Sequence, residues 1–313
     1  MPQTRRRKQD RTAKREEPVE TVVEEQPPPP PEEPVEPLVS AILVSYNQAA
    51  ALRRAIQALE RSDDRKRLEI LVVDCGSQDE SPQLDTEFTG ITMMRLPHHF
   101  GATKAMNIGT RTAKAEIVFY LSPSVEVVPD TVSKLAAHLE SDTDAAAVCP
   151  LLVDPDGRQS LRIRKIPTRA TLLDPEYQRL DLSQESVSVE YPGLDALMIR
   201  KFFIKGMNFF DERYGNSFAD ADLAAQVRRA QKKIRVYPAI RATYYSEPDP
   251  LSGDPLYAAD RVLGAAHYLA KYDGFFSGLT FRIGAIFRAL VRFDFRQLGA
   301  LISGQKLDGS QAM

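Results

Sequence analysis

The chain has almost no cysteine: two residues in 313, Cys75 and Cys149. That excludes a disulfide framework and a cysteine-based metal cluster, and it fits a reducing compartment such as the cytoplasm. Net charge is nearly absent too, at −2, so nucleic acid is not an expected partner. No apolar run approaches the ~20 residues needed to cross a bilayer. Arg5, Arg6, Arg7 and Lys8 are followed by no apolar core, so no signal peptide is expected. No internal repeat is visible. The remainder, 43% hydrophobic and 27% charged, is the composition of a globular protein with a sizeable core.

Residues 1–36 run from basic to acidic and contain the proline run Pro27 to Pro31. They have too little apolar surface to offset the entropy of ordering, so a disordered tail is expected. Its basic patch reads as a solvated segment or as a dock for anionic lipid or nucleic acid. From Val39 the pattern changes. Val39 to Val44 and Leu68 to Val73 are apolar runs that end in polar residues, about 30 residues apart, with a helical spacing of Leu52, Ile56 and Leu59 between them. Ile91 to Leu96, Glu116 to Leu121 and Ala145 to Val153 read as further strands, and Ala102 to Ala113 and Pro129 to Glu140 as helices. This alternation predicts an α/β fold with a mostly parallel central sheet flanked by helices. Beyond it, Leu161 to Glu190 reads as a polar surface excursion and Leu194 to Arg200 as a strand. Asp220 to Ala230 reads as a helix, Lys233 to Tyr237 as a short strand, and 251–313 as a helical extension. The main domain is expected over 37–250.

Ligands of such sheets bind where strands end. Ser45-Tyr46-Asn47 ends the first strand and offers backbone groups and a ring face to a base. Asp74 ends the second and can accept an imide N–H of uracil or thymine. Cys75 beside it reads as a small buried residue in a tight turn. Gly101 opens a helix whose free N–H groups favour an anion. Lys104 adds positive charge there, or is a solvated helix lysine. His98 and His99 lack metal-motif spacing and read as turn residues. Asp220 and Asp222 at a helix start suit the positive end of its dipole. Asp195, inside an apolar strand, needs a partner or a function.

Val72-Val73-Asp74-Cys75-Gly76-Ser77-Gln78-Asp79-Glu80-Ser81 resembles the V-V-D-N-G-S-x-D-G-S segment of family 2 glycosyltransferases. Gly101 through Asn107 to Gly109 resembles their N-x-G-x-x-x-A-x-N-x-G segment. Phe210-Asp211-Glu212 through Asp220-Ala221-Asp222-Leu223 resembles F-D-E-x-F-x-x-x-x-E-D-x-D-L, with Ala219 in the Glu place. The resemblance covers about Val39 to Ser246 and is rhamnosyltransferase-like. It implies a GT-A fold, a nucleotide-diphosphate sugar donor, and transfer with inversion to a glycan or lipid-linked acceptor. It implies donor contacts at Ser45, Tyr46, Asn47, Asp74, Gly101, Lys104 and Asn107. It further implies Asp220 as the base that deprotonates the acceptor, with Asp195 and Asp222 on the acceptor side. Relatives carry Asp-x-Asp, or a reduced Asn-Pro-Asp form, at the fourth strand end, holding Mg²⁺ or Mn²⁺; Ser122-Pro123-Ser124 stands there instead, and nearby Glu126 reads either as a substitute metal ligand or as a salt-bridged surface residue. The family's later His is replaced by Tyr244 or Tyr245.

These departures leave a second expectation, a pseudoenzyme that binds a nucleotide sugar or a partner without turnover. A nucleotidyltransferase is a third, weakened because no glycine-rich loop with Arg and Lys follows the first strand. Leu279, Ile283, Ile286 and Leu290 form one helical face, with Arg282, Arg288, Arg292 and Arg296 around it. It reads either as a peripheral contact with an anionic membrane or as a helix packed on the domain with its arginines solvated.

Overall fold

A computed structural model describes residues 36–172 and 175–304. The expected disordered tail therefore lies outside the described residues, apart from Glu36. The elements run β1 (Val39–Ser45), α1 (Ala49–Glu60), β2 (Leu68–Asp74), α2 (Leu84–Glu87), β3 (Ile91–Arg95), α3 (Ala102–Thr112), β4 (Ile117–Leu121) and β5 (Val125–Val127). They continue with α4 (Thr131–Ser141), β6 (Ala145–Val153), β7 (Val187–Val189), β8 (Ala196–Arg200), α5 (Lys201–Gly206), α6 (Ala219–Arg229), β9 (Lys233–Tyr244), α7 (Pro255–Tyr272), α8 (Phe275–Val291) and α9 (Phe295–Ser303).

The strands form one sheet in the order β3-β2-β1-β4-β8-β6-β9-β5, with β7 also paired to β9. The first four are parallel neighbours. Beyond β4 the sheet is mixed: β8 is antiparallel to both β4 and β6, while β6 and β9 are parallel. Strand β9 is longer than the pattern at Lys233 to Tyr237 predicts. It runs on to Tyr244, its register with β6 shifting between the Pro150–Tyr237 and Leu151–Arg241 pairs, and collects β5 and β7 as extra partners.

Successive strand residues face opposite sides, and here each side has its own core. Val39, Ala41 and Leu43 of β1 and Ile117, Phe119 and Leu121 of β4 pack against Leu52, Ile56 and Leu59 of α1 and Leu135 and Leu139 of α4. Ile42, Val118 and Tyr120 face the other way, into a cluster with Leu223 and Val227 of α6 and Tyr268 and Leu269 of α7. Helix α3 sits close on this side because Gly109 lacks a side chain: a Cβ there would lie 2.5 Å from Ile42 Cγ2. This places the ends of β1, β2 and β4 and the start of α3 around one opening.

The stretch from Leu161 to Glu190 is more than a surface excursion. Ile163, Leu172, Leu180 and Val189 are buried in the second core. Arg164 bridges to both Tyr177 and Tyr191 as short β-contacts. In the helical extension, α7 belongs to the main core, and α8 and α9 pack on it through Ala289, Ala300 and Leu301.

Candidate active site

Ser45 and Asp74 are register partners at the ends of β1 and β2, which sets their loops side by side. Asn47, at φ 50°, ties the two loops together. Its N–H donates to Ser77 Oγ at 2.8 Å, and its Oδ1 accepts the Gln78 N–H at 2.7 Å. Asp74 is buried, at 1% exposure. Its Oδ2 accepts the N–H groups of Gly76 and Ser77 at 3.1 and 3.0 Å. Among the described residues, its Oδ1 has no partner, and neither does Ser45 Oγ. Burial, then the Asp74 charge, push the Cys75 thiol up to about 12, so it is no nucleophile at neutral pH.

Tyr46 meets His99 edge-on, with ring centroids 4.8 Å apart. Burial lowers the His99 pKa, and its Nδ1 accepts the Gly101 N–H at 3.2 Å, the arrangement of a neutral imidazole. Lys104 Nζ lies 4.5 Å from the centre of the Phe100 ring. Asn107 is placed otherwise than a ligand contact requires. It is buried, its Nδ2 donates to Phe210 O and Glu212 Oε1, and its Oδ1 accepts the Phe210 N–H. Both ends of the amide are used to fasten α3 to the loop before α6.

A cleft of about 450 Å³ opens beside these loops, between the ends of β1 and β4 and the start of α6. Ser122, Pro123, Asp195, Ala219 and Asp220 line it. Asp195 comes just before β8, and its carbonyl accepts the Ser122 N–H at 2.8 Å. Its carboxylate Oδ2 accepts from Arg162 Nε and Nη2 at 3.0 and 2.7 Å. Asp220 Oδ2 accepts from Tyr191 OH at 2.5 Å and Arg164 Nη2 at 3.2 Å, and Oδ1 accepts the Ala221 N–H at 2.9 Å. Burial, then the Asp220 charge, hold the Tyr191 phenol well above its usual pKa, so it remains a donor. Gly193 keeps the space between the pairs open: a Cβ there would lie 3.6 to 3.9 Å from Arg164 Nη2, Asp195 Oδ2 and Asp220 Oδ2. Phe218, just before α6, has φ 78°, a costly conformation for a bulky residue and one typical of functional sites.

Two carboxylates expected near the chemistry lie elsewhere. Asp222 is 1% exposed and bonded to Lys271 Nζ at 2.7 Å and Tyr272 OH at 2.6 Å. It points away from the cleft because residues two apart on a helix do not share a face. Glu126 bonds Arg61 at 3.2 Å and Tyr245 OH at 2.8 Å, outside the cleft wall. A divalent cation needs several anionic oxygens. Ser122 Oγ instead accepts the Ser124 N–H at 3.2 Å, and no cluster of three His, Cys, Asp or Glu side chains that could hold a metal exists among the described residues. These residues do not fit Mg²⁺ or Mn²⁺.

Arg162, Arg164 and Tyr191 were missed by the sequence reading. The signal was present: Leu161-Arg162-Ile163-Arg164 alternates with a period of two, which puts both arginines on one face of an extended segment.

The chain is similar to several known proteins. N-acetylglucosaminyl-diphospho-decaprenol L-rhamnosyltransferase of Mycobacterium tuberculosis is 22% identical over 292 residues, covering 85% of this chain and 92% of that protein. Among solved structures, the mannosyltransferase PcManGT from Pyrobaculum calidifontis, in complex with GDP-Man and Mn²⁺, superposes with a TM-score of 0.53 at 17% identity, covering 85% of this chain and 81% of that one. GalNAc-T7 with UDP, GalNAc and Mn²⁺ gives a TM-score of 0.55 at 18% identity over 67% of this chain. This chain spans only 44% of GalNAc-T7. These structural likenesses show the fold, that of GT-A glycosyltransferases. The model of glycosyl transferase family 2 matches residues 40–206, more than half of the sequence, and the chain therefore belongs to glycosyl transferase family 2.

Proposed function

We propose that the protein transfers a sugar from a uridine or thymidine diphosphate donor to an acceptor hydroxyl, with inversion at the sugar carbon. The observation that carries this reading is Asp220. It is a carboxylate on the cleft wall, oriented by Tyr191 and Arg164, with Oδ1 accepting only a backbone N–H. A carboxylate oxygen has a second lone pair to take the acceptor proton. The acceptor oxygen then attacks the sugar carbon as the bond to the diphosphate breaks, and the leaving group keeps the electron pair. Asp74 serves the base: its unpartnered Oδ1 lacks the donor that an imide N–H supplies. Tyr46 packs on the nucleoside, and the Gly101 turn faces the phosphates.

The acceptor in this reading is lipid-linked and is met at the cytoplasmic face of a membrane. The rhamnosyltransferase relative, similar along nearly its whole length, is named for such an acceptor. No helix among the described residues is long and apolar enough to cross a membrane. Helix α8 packs inward through Gly278 and Ala289, while Phe287, Val291, Phe293 and Phe295 are exposed by 59 to 75%. Exposed Arg288, Arg292 and Arg296 accompany them, a combination suited to an anionic bilayer surface. The pseudoenzyme reading rests on Ser122, Ser124, Ala219 and the tyrosine, Tyr244 or Tyr245, in the His place; the oriented Asp220 counts against it.

The test is a panel of UDP-, dTDP- and GDP-sugars incubated with a polyprenyl-diphospho-sugar acceptor. NMR of the product should show the anomeric configuration opposite to that of the donor. Retained configuration would overturn the single displacement, and neither transfer nor donor hydrolysis across the panel would overturn the enzyme reading.

A further inference from the structure

We propose that Arg162 and Arg164 replace the divalent cation, neutralising the donor's diphosphate with two guanidinium groups. This rests on the donor reading above and goes beyond it by naming what holds the leaving group. The starting point is the misfit of the β4 end to a metal. Neutral Ser122 and Ser124 stand where the resemblance places carboxylates, and Glu126 is committed to Arg61 and Tyr245.

The same places now serve to hold an arginine. Ser122 donates its backbone N–H to the Asp195 carbonyl, and the Asp195 carboxylate grips Arg162 through Nε and Nη2. Tyr244, at one of the two positions corresponding to the family's His, lies against the guanidinium, with Arg162 Cζ 4.4 Å from its ring centre. Arg164 is backed in the same way by Tyr191, at 4.0 Å, and tethered at Nη2 by Asp220. Each aromatic ring attracts the cation over its face and holds it in the plane its carboxylate sets.

Both arginines keep free donors. A guanidinium has five N–H groups. Arg162 commits two nitrogens to Asp195 and Arg164 one to Asp220. Their side chains are 38% and 30% exposed on the cleft side. The planar fork that remains matches a phosphate's oxygens. The charge balance points the same way. Among the described residues, Arg162, Arg164 and Arg261 line the cleft with Asp195 and Asp220, and Lys165 there is paired with Glu176. A polyanion is thus attracted without a bound cation. In the displacement, the sugar–oxygen bond breaks towards the diphosphate, and the negative charge that develops there meets two fixed positive groups, while the acceptor proton passes to Asp220.

The experiment is isothermal calorimetry of UDP, dTDP and GDP against UMP, dTMP and GMP, each in EDTA and in Mn²⁺. At least one diphosphate should bind in EDTA, more tightly than its monophosphate, with little gain from Mn²⁺. Arg162→Gln/Asp195→Asn removes both charges of one pair and so leaves no buried ion unpaired. It should weaken the diphosphate by about 10- to 100-fold, the scale of charged hydrogen bonds, and leave the monophosphate unchanged. Arg162→Lys should recover part of the loss, since it restores charge without the fork. Diphosphate binding that requires Mn²⁺ would overturn the arginine proposal and leave the transferase reading intact. An equal loss for mono- and diphosphate would also overturn it. Absence of binding by all six nucleotides would overturn both. Should the double variant fail to fold, the contrast between wild-type binding in EDTA and in Mn²⁺ still decides.

Discussion

Asp220 and Asp222 are two positions apart on α6 and serve opposite sides of it: Asp220 meets Tyr191 and Arg164 in the cleft, and Asp222 meets Lys271 and Tyr272 in the interior. Their substitutions should therefore separate activity from stability. Asp220→Asn should lower transfer by roughly 10²- to 10⁴-fold, the usual contribution of a positioned base, with nucleotide affinity and melting temperature nearly unchanged. Asp222→Asn should leave the rate per folded molecule intact and cost about 1.5–3 kcal/mol of stability, since it weakens buried charged hydrogen bonds. Denaturation curves and single-turnover transfer, run on both variants, check this. A stable but inactive Asp222→Asn would show that the cleft has been assigned to the wrong carboxylate.

That pair also marks where sequence reasoning stops. Both aspartates were readable as helix-start residues, and a linear motif does not say which one faces a cavity. The apolar pattern found β1, β2 and β6 because they are buried on both faces, and α1 and α3 because each buries one regular face. It stopped β9 too early because the strand continues through Pro238 and the exposed Arg241, which interrupt the apolar pattern. Asn107 matched a motif, yet its amide is spent on Phe210 and Glu212. A buried structural amide and a ligand contact look alike in one dimension. Arg162 and Arg164 were lost for a different reason: their partners Asp195 and Asp220 are 33 and 56 residues away, and only the fold brings them together.

Asp74 yields a donor-binding prediction. Its Oδ2 is held by two backbone N–H groups while its Oδ1 is buried without a partner. Asp74→Ala should weaken a uridine or thymidine diphosphate by about 1–3 kcal/mol and should not discriminate diphosphate from monophosphate. The variant must first be shown to keep its melting transition, because the 76–77 turn loses its acceptor. Unchanged affinity in the folded variant would remove Asp74 from base recognition.

Asp211 makes acid stability testable. Burial alone would raise its pKa, but hydrogen bonds from Arg213 and His267 outweigh this and hold the carboxyl well below the usual range. A carboxylate whose folded pKa is depressed stabilises the protein above its unfolded value, near 3.9. That contribution is lost as pH falls from there towards the folded value. Asp211→Asn should therefore be less stable than wild type at pH 7, and the gap should narrow below about pH 4. Urea unfolding at pH 7 and at pH 3 measures it; a gap of constant size would mean that the Asp211 charge contributes nothing through its contacts with Arg213, at 2.8 Å, and His267, at 3.0 Å.

The exposed face of α8 and α9 provides the last prediction. Packing buries Gly278 and Ala289 of α8 and half-buries Phe281 and Ile286, while Phe287, Phe293 and Phe295 are each at least 65% exposed. Leaving such side chains in water forgoes about 1.5–3 kcal/mol each relative to full burial. Arg288, Arg292 and Arg296 add attraction of about 1 kcal/mol each near an anionic surface. The protein should co-sediment with vesicles containing phosphatidylserine or phosphatidylglycerol, less so as salt increases, and should bind neutral phosphatidylcholine more weakly. Phe287→Ser/Phe293→Ser/Phe295→Ser should abolish this sedimentation. Because these side chains touch little else, the melting temperature should hold, as exposed substitutions usually change stability by only about 0.5 kcal/mol. A triple variant that sediments like wild type would assign the lipid contact to another surface. Loss of sedimentation together with formation of smaller oligomers would show instead that the face joins two copies of the chain.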